Sequence, residues 1–170
     1  MSELPNEPAK IDIRIGRKDD VAAITTLVAA TYRGYVGRLG KEPEPMTTDY
    51  AATVAEGALW VATGHDGQVA GVLVLRRRSV SVLLENIAVA PKEQGHGIGQ
   101  SLMEFAEQHA KAMGAKKLML YINEQMTENI RWYAALGFVE TSRQLDHGFH
   151  RVFFSKRLVP RQRLVQSRPR

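Results

Sequence analysis

The run Gln94-Gly95-His96-Gly97-Ile98-Gly99 joins an apolar strand to a long amphipathic helix, and few folds place a glycine loop at such a junction. The strand reads Val82-Leu83-Leu84-Glu85-Asn86-Ile87-Ala88-Val89, and Ala90-Pro91 stops it. After the glycines, Ile98, Leu102, Phe105, Ala106, His109 and Met113 recur at helical spacing until Gly114 ends the helix. Glycines let the backbone turn tightly and come close to a ligand. The first turn of a helix leaves its N–H groups unpaired, at the positive end of the macrodipole. Strand, loop and helix together predict a site for a phosphate-bearing ligand.

Two familiar phosphate loops do not fit. A Walker A loop needs Gly-Lys-Ser/Thr, which this stretch lacks. The dinucleotide pattern G-x-G-x-x-G needs a glycine where the chain has Gln100, and it belongs to a βαβ unit, whereas a run of strands precedes this loop. The spacing that fits is Q-x-x-G-x-G, carried by Gln94, Gly97 and Gly99.

The remaining pattern predicts one domain. Ile11–Ile15 alternates as a first strand, and Asp19 or Asp20 can cap a helix carrying Val21, Ile24, Val28 and Thr31. From Arg33 to Met46 the glycines and prolines predict an irregular segment, and a short helix follows from Thr48 to about Glu56. Leu59–Thr63 and Val69–Leu75 read as a hairpin around Asp66-Gly67. Lys117–Ile122 is a strand, Thr127 opens a helix reaching Leu136, and Phe138–Leu145 with Phe149–Leu158 form a closing hairpin across Asp146-His147-Gly148. This order predicts an α/β (α+β) fold, a mixed, mostly antiparallel sheet of about seven strands flanked by about four helices.

Charge locates the ends. The chain has 170 residues and a net charge of +5, but residues 156–170 hold six Lys or Arg and no acid, which leaves 17 basic against 18 acidic residues elsewhere. The expected organisation is a flexible N-terminus (1–10), a single domain (11–158) and a basic tail (159–170). The tail suits an acidic partner or a solvated end. Its basic residues lack interleaved aromatics, which points away from nucleic acid. No apolar stretch approaches the ~20 residues that span a bilayer. There are no cysteines, which removes disulfides, thiolate metal sites and a cysteine nucleophile, and suits the cytoplasm. No histidine pair has metal-ligand spacing.

The segment Val89-Ala90-Pro91-Lys92-Glu93-Gln94-Gly95-His96-Gly97-Ile98-Gly99, followed by Tyr133-Ala134-Ala135-Leu136-Gly137-Phe138, resembles the acetyl-coenzyme A loop and following helix of the GNAT superfamily of N-acetyltransferases. The resemblance implies an acetyl-CoA-dependent acyltransferase without a metal, in which an amine attacks the thioester directly through a tetrahedral intermediate. It implies coenzyme contacts from Ile87, Ala88, Val89, Gln94, Gly95, His96, Gly97, Ile98, Gly99 and Gln100. Tyr133 stands where many family members have the acid that protonates the leaving thiolate. The family often has an asparagine seven residues before that tyrosine. Here the position is Met126, with Asn129 and Asn123 as stand-ins.

Glu85 is the candidate base, acting through water. By the period of two it shares a strand face with Ile87 and Val89, although Arg76 or Arg77 is an alternative partner and solvent an alternative base. Tyr35, Glu42, Glu44 and Asp49 are candidates to receive a cationic acceptor amine. The expected acceptor is a small-molecule primary amine. A protein N-terminus or lysine side chain, and a non-catalytic acetyl-CoA-sensing module, stay open beside it. Members of the family are frequently homodimers.

Overall fold

The computed structural model describes residues 11–159, and the expected N-terminal segment and all of the basic tail except Val159 lie outside them. The described residues form seven strands and four α-helices. In chain order these are β1 (Asp12–Ile15), α1 (Val21–Leu39), α2 (Tyr50–Ala55), β2 (Leu59–Thr63), β3 (Val69–Arg78), β4 (Ser81–Val89), α3 (Ile98–Ala112), β5 (Lys117–Asn123), α4 (Thr127–Ala135), β6 (Val139–Asp146) and β7 (Phe149–Arg157). The strands make one sheet in the order β1-β2-β3-β4-β5-β7-β6. Every neighbouring pair is antiparallel except β4 and β5. This is the mixed, mostly antiparallel sheet that the sequence predicts. Among the described residues no helix is long and apolar enough to cross a membrane.

Two cores flank the sheet. Ile24, Leu27 and Val28 of α1 and Tyr50 of α2 pack on Val61, Val72, Val74 and Ala88. Ile98, Leu102, Met103 and Ala106 of α3 pack on Leu73, Leu75, Leu84 and Leu120, together with Tyr133 of α4. Gly71 of β3 sets how closely α3 can lie. A Cβ there would fall 2.9 Å from both Ile98 Cγ2 and Leu102 Cδ1, so only glycine lets the first turns of α3 rest on the strand backbone.

Two expectations need correction. The helix after Asp20 does not end near Arg33 but runs through Gly34 and Gly37 to Leu39, and Gly40 at φ 71° closes it. Tertiary contacts outweigh the low helix propensity of glycine: the Tyr32 hydroxyl bonds Asn86 of β4, and Arg38 pairs with Glu128 of α4. Asp20 does not cap that helix through its side chain. Its buried carboxylate accepts from the Arg14 guanidinium (2.8 and 3.0 Å) and from the Arg17 N–H, and the Arg14 bond holds its pKa below the ordinary carboxylate value.

The feature that shapes the site is the parting of β4 from β5. Their parallel pairing covers only Ser81–Leu84 against Lys117–Leu120, while β5 continues along β7 as far as Asn123. On its other side β4 pairs with β3 as far as Val89, with a bulge in which Val74 and Leu75 face Asn86 and Leu84 and Glu85 is the extra residue. A bulge bends and twists its strand, and here it coincides with the point where the two strands separate. Gly71→Val is expected to lower stability by about 1–3 kcal/mol, because α3 must shift off β3. Urea unfolding of the purified variant measures this.

Candidate active site

The separation leaves one edge of β4 without a strand. The Ala90 N–H donates to Ala70 O on the β3 side (2.9 Å), so by alternation Ile87 and Val89 turn their backbone groups toward the gap. The Val89 carbonyl accepts from Thr31 Oγ1 (3.0 Å) and Gln94 Nε2 (3.2 Å), while the Val89 N–H still faces the gap.

A cleft of about 730 Å³ follows this edge to the N-terminus of α3, within the ~300–1,000 Å³ usual for small-molecule sites. Gly95 and Gly97 both have φ 83°, a conformation that side chains strain to adopt. Gly97 is the N-cap and has no side chain to cover the first-turn N–H groups, and the first turn carries no acid. The first bond within the helix is Ser101 N–H to Gly97 O, so the N–H groups of Ile98, Gly99 and Gln100 have no partner inside the helix. A glycine-lined anion cradle at one end and a strand edge at the other fit a long ligand with a phosphate terminus.

The predicted coenzyme residues gather here with one exception. Ile87, Ala88, Val89 and Gln94 line the cleft, as do Gly95, Gly97, Ile98, Gly99, Gln100 and Asn129. His96 does not. Its ring lies 3.2 Å from the Glu93 carbonyl at the surface. Gln94 spends its amide on Val89, bracing the loop. Trp132 of α4, which the sequence reading did not single out, covers the first turn of α3 at 3.7 Å from the Cβ position of Gly99.

A second cavity opens on the other side of Tyr133. Tyr32, Ile87, Ile122, Met126 and Tyr133 line both spaces, so the two meet where β4 and β5 part. Its walls are largely apolar, from Leu39, Leu84, Leu120 and Phe149, with Glu44, Glu85, Asn86 and Arg151 among them. The buried Arg151 guanidinium bonds Glu44 Oε2 and Asp146 Oδ2, each at 2.6 Å, and stacks over the Tyr121 ring at 4.3 Å. Lys41 donates to the Gly148 carbonyl at 2.7 Å and lies 3.8 Å from the Phe149 ring centroid. These contacts tie the connector between α1 and α2 to the β6–β7 turn across the cavity.

The predicted acceptor residues separate. Of the four, only Glu44 lines this cavity. Tyr35 lies on the first cleft instead, because α1 stays helical through it. Glu42 is exposed and lines neither space. Asp49 caps α2 by accepting from the Ala52 N–H (3.1 Å), so its carboxylate has a structural use. Asn123, a stand-in for coenzyme contact, lines the second cavity and accepts from the Gln125 N–H.

Glu85 lines the second cavity too, but not as the period of two predicts. The bulge breaks the alternation, and Ile87 and Val89 pack toward the α3 core while Glu85 bonds Arg76. Arg76 also pairs with Glu56 at the end of α2. The alternative of an arginine partner is therefore the arrangement observed. Tyr133 is buried between Trp132, Phe138 and Phe154, and burial raises its phenol well above the ordinary value.

Known proteins resemble this chain in sequence and in fold. The acetyltransferase (GNAT) family model matches residues 21–138, and the chain belongs to that family. A streptothricin acetyltransferase of Streptomyces lavendulae is 34% identical over 86 residues, 49% of this chain and 46% of that protein. The peptidyl-lysine N-acetyltransferase YjaB of Salmonella typhimurium is 28% identical over 137 residues, 78% of this chain and 86% of that one. The crystal structure of the PaiA N-acetyltransferase of Thermoplasma acidophilum in complex with coenzyme A shares the fold, with a TM-score of 0.72 at 16% identity, covering 87% of this chain and 99% of that one. The chain spans less than half the length of the first curated relatives it matches.

Gly97→Glu puts a carboxylate at the anion cradle on a left-handed backbone. Affinity for coenzyme A is expected to fall at least ~10-fold, or about 1.4 kcal/mol. Calorimetry checks this, and an unchanged affinity would remove the loop assignment.

Proposed function

We propose that this protein transfers the acetyl group of acetyl-coenzyme A to a primary amine of a small molecule. The observation that carries the reading is the meeting of the two spaces at Ile87 and Tyr133. The cleft suits a phosphate-ended donor and the cavity suits an acceptor. The ties from Lys41 and Glu44 across the cavity favour a compact acceptor over a protein segment. The relative named for streptothricin supports a small-molecule acceptor.

Bound acetyl-coenzyme A would supply an activated acyl carbon and a thiol leaving group. The chain's residues supply the rest. The Ile87 N–H faces the gap, where it can donate to the acyl oxygen as that oxygen gains negative charge. Glu85, through water, accepts the proton that the amine must lose, since a free alkyl amine has a pKa of about 10.4. The nitrogen lone pair then bonds to the acyl carbon to give a tetrahedral intermediate, and the carbon–sulfur bond breaks as that intermediate collapses. Tyr133 donates its proton to the departing sulfur, and the acylated nitrogen, now positively charged, releases its second proton to solvent. Solvent afterwards returns a proton to Tyr133 and takes one from Glu85. The raised phenol keeps Tyr133 protonated through the physiological range.

The test is thiol release from acetyl-coenzyme A with a panel of small amines and lysine peptides. Release with small amines supports the reading, peptide-only release moves the acceptor to protein, and silence across the panel favours a sensing module. Tyr133→Phe is expected to slow turnover by ~10²-fold or more with coenzyme affinity retained. Full activity in this variant would reassign the acid.

Glu85→Gln is expected to lose turnover most at neutral pH. The loss should shrink as pH rises and the amine deprotonates unaided. A pH-independent deficit would argue for a structural role.

A further inference from the structure

Asn86 is a buried polar residue in β4, and it sits at the centre of a chain of hydrogen bonds whose direction can be worked out. The Tyr50 hydroxyl lies 2.6 Å from the Pro45 carbonyl oxygen, which can only accept, so Tyr50 must donate its single proton there. The contact between Tyr50 and Asn86, at 3.2 Å, must then be donated by Asn86 Nδ2. That fixes the amide, with Oδ1 turned to the Tyr32 hydroxyl at 2.7 Å, and Tyr32 must donate to it. Burial raises both phenols above their ordinary value, so each keeps the proton the chain needs.

The consequence falls on Tyr32, which lines both the coenzyme cleft and the acceptor cavity. With its proton committed to Asn86, its oxygen has only lone pairs to offer. The Ile87 carbonyl oxygen, turned to the same gap, lies 3.4 Å from it. Two acceptors that close can both be reached by one nitrogen at the usual ~2.9 Å.

We propose that the Tyr32 hydroxyl oxygen and the Ile87 carbonyl form a paired acceptor that holds two N–H groups of the attacking primary amine, with Asn86 and Tyr50 as positioning residues that set the polarity of Tyr32. The inference rests on the acetyl-transfer reading. As nitrogen bonds to the acyl carbon it gains positive charge, and both hydrogen bonds strengthen. Tyr32 therefore acts more on the chemical step than on acceptor binding. The amine's lone pair is left free to point at the acyl carbon.

The experiment measures steady-state kinetics of wild type, Tyr32→Phe, Tyr50→Phe and the double variant with the best primary amine, alongside calorimetric affinity for coenzyme A. Tyr32→Phe is expected to lower kcat at least ~10-fold, with KM for the amine and coenzyme affinity changed less than ~3-fold. Tyr50→Phe frees Asn86 to turn over, so kcat falls less, and the double variant is no slower than Tyr32→Phe alone. Unchanged kcat in Tyr32→Phe overturns the inference, as do multiplicative losses in the double variant. Should Tyr32→Phe fail to fold, the wild-type rate on the primary amine against its N-methyl analogue decides in its place. The paired acceptor requires a preference for the primary amine that Tyr50→Phe reduces, and equal rates overturn it. Absence of thiol release by the wild type would overturn acetyl transfer, and this inference with it.

Discussion

A strand in the middle of a sheet normally spends its backbone on both neighbours, and β4 does not. Beyond Leu84 its pairing with β5 stops while its pairing with β3 continues to Val89. Unpaired backbone groups inside a protein carry a cost of a few kcal/mol unless something satisfies them. The fold meets part of that cost itself, since Thr31 and Gln94 hold the Val89 carbonyl. The remaining groups stay available to a ligand, as at the edge of any sheet that accepts an added strand. The glycine loop, the closeness of α3 and the position of Tyr133 all gain their meaning from this opening.

Charge around the second cavity is arranged in the same economical manner. Arg76 lies between Glu56 and Glu85, and Arg151 between Glu44 and Asp146. Each guanidinium draws together elements far apart in sequence: α2 with β4 in one case, and the α1–α2 connector with both strands of the final hairpin in the other. Of these groups Glu44, Glu85 and Arg151 line the cavity, two carboxylates against one guanidinium, which suits its wall to a cationic guest.

Much of the fold is legible in local signals of the sequence. Asp66-Gly67 and His147-Gly148 punctuate their hairpins, the apolar spacing of Leu102 and Ala106 marks α3, and the glycines at 95 and 97 announce their own backbone geometry. Tyr133 could be singled out only through its distance from Gly137-Phe138 and the family likeness. What escaped was non-local. Nothing near Gly34 or Gly37 reports that Tyr32 and Arg38 will find partners 54 and 90 residues away and hold α1 straight. The bulge at Glu85 is a property of two strands, invisible in one. Arg151 and Asn86 look like ordinary strand residues until the sheet surrounds them. Asp49 shows the converse, a carboxylate that suggested ligand recognition and serves instead as a helix cap.

β4 and the first turn of α3 offer the cleft peptide N–H and C=O groups. Most substitutions leave a peptide group where it was, so this part of the site is insulated against drift in its own side chains. The second cavity is lined by residues such as Glu44, Tyr121 and Phe149, whose side chains can be exchanged. Under the proposed acetyl transfer, a chain built this way could change what it modifies many times over while continuing to draw on the same cellular supply of activated acyl groups.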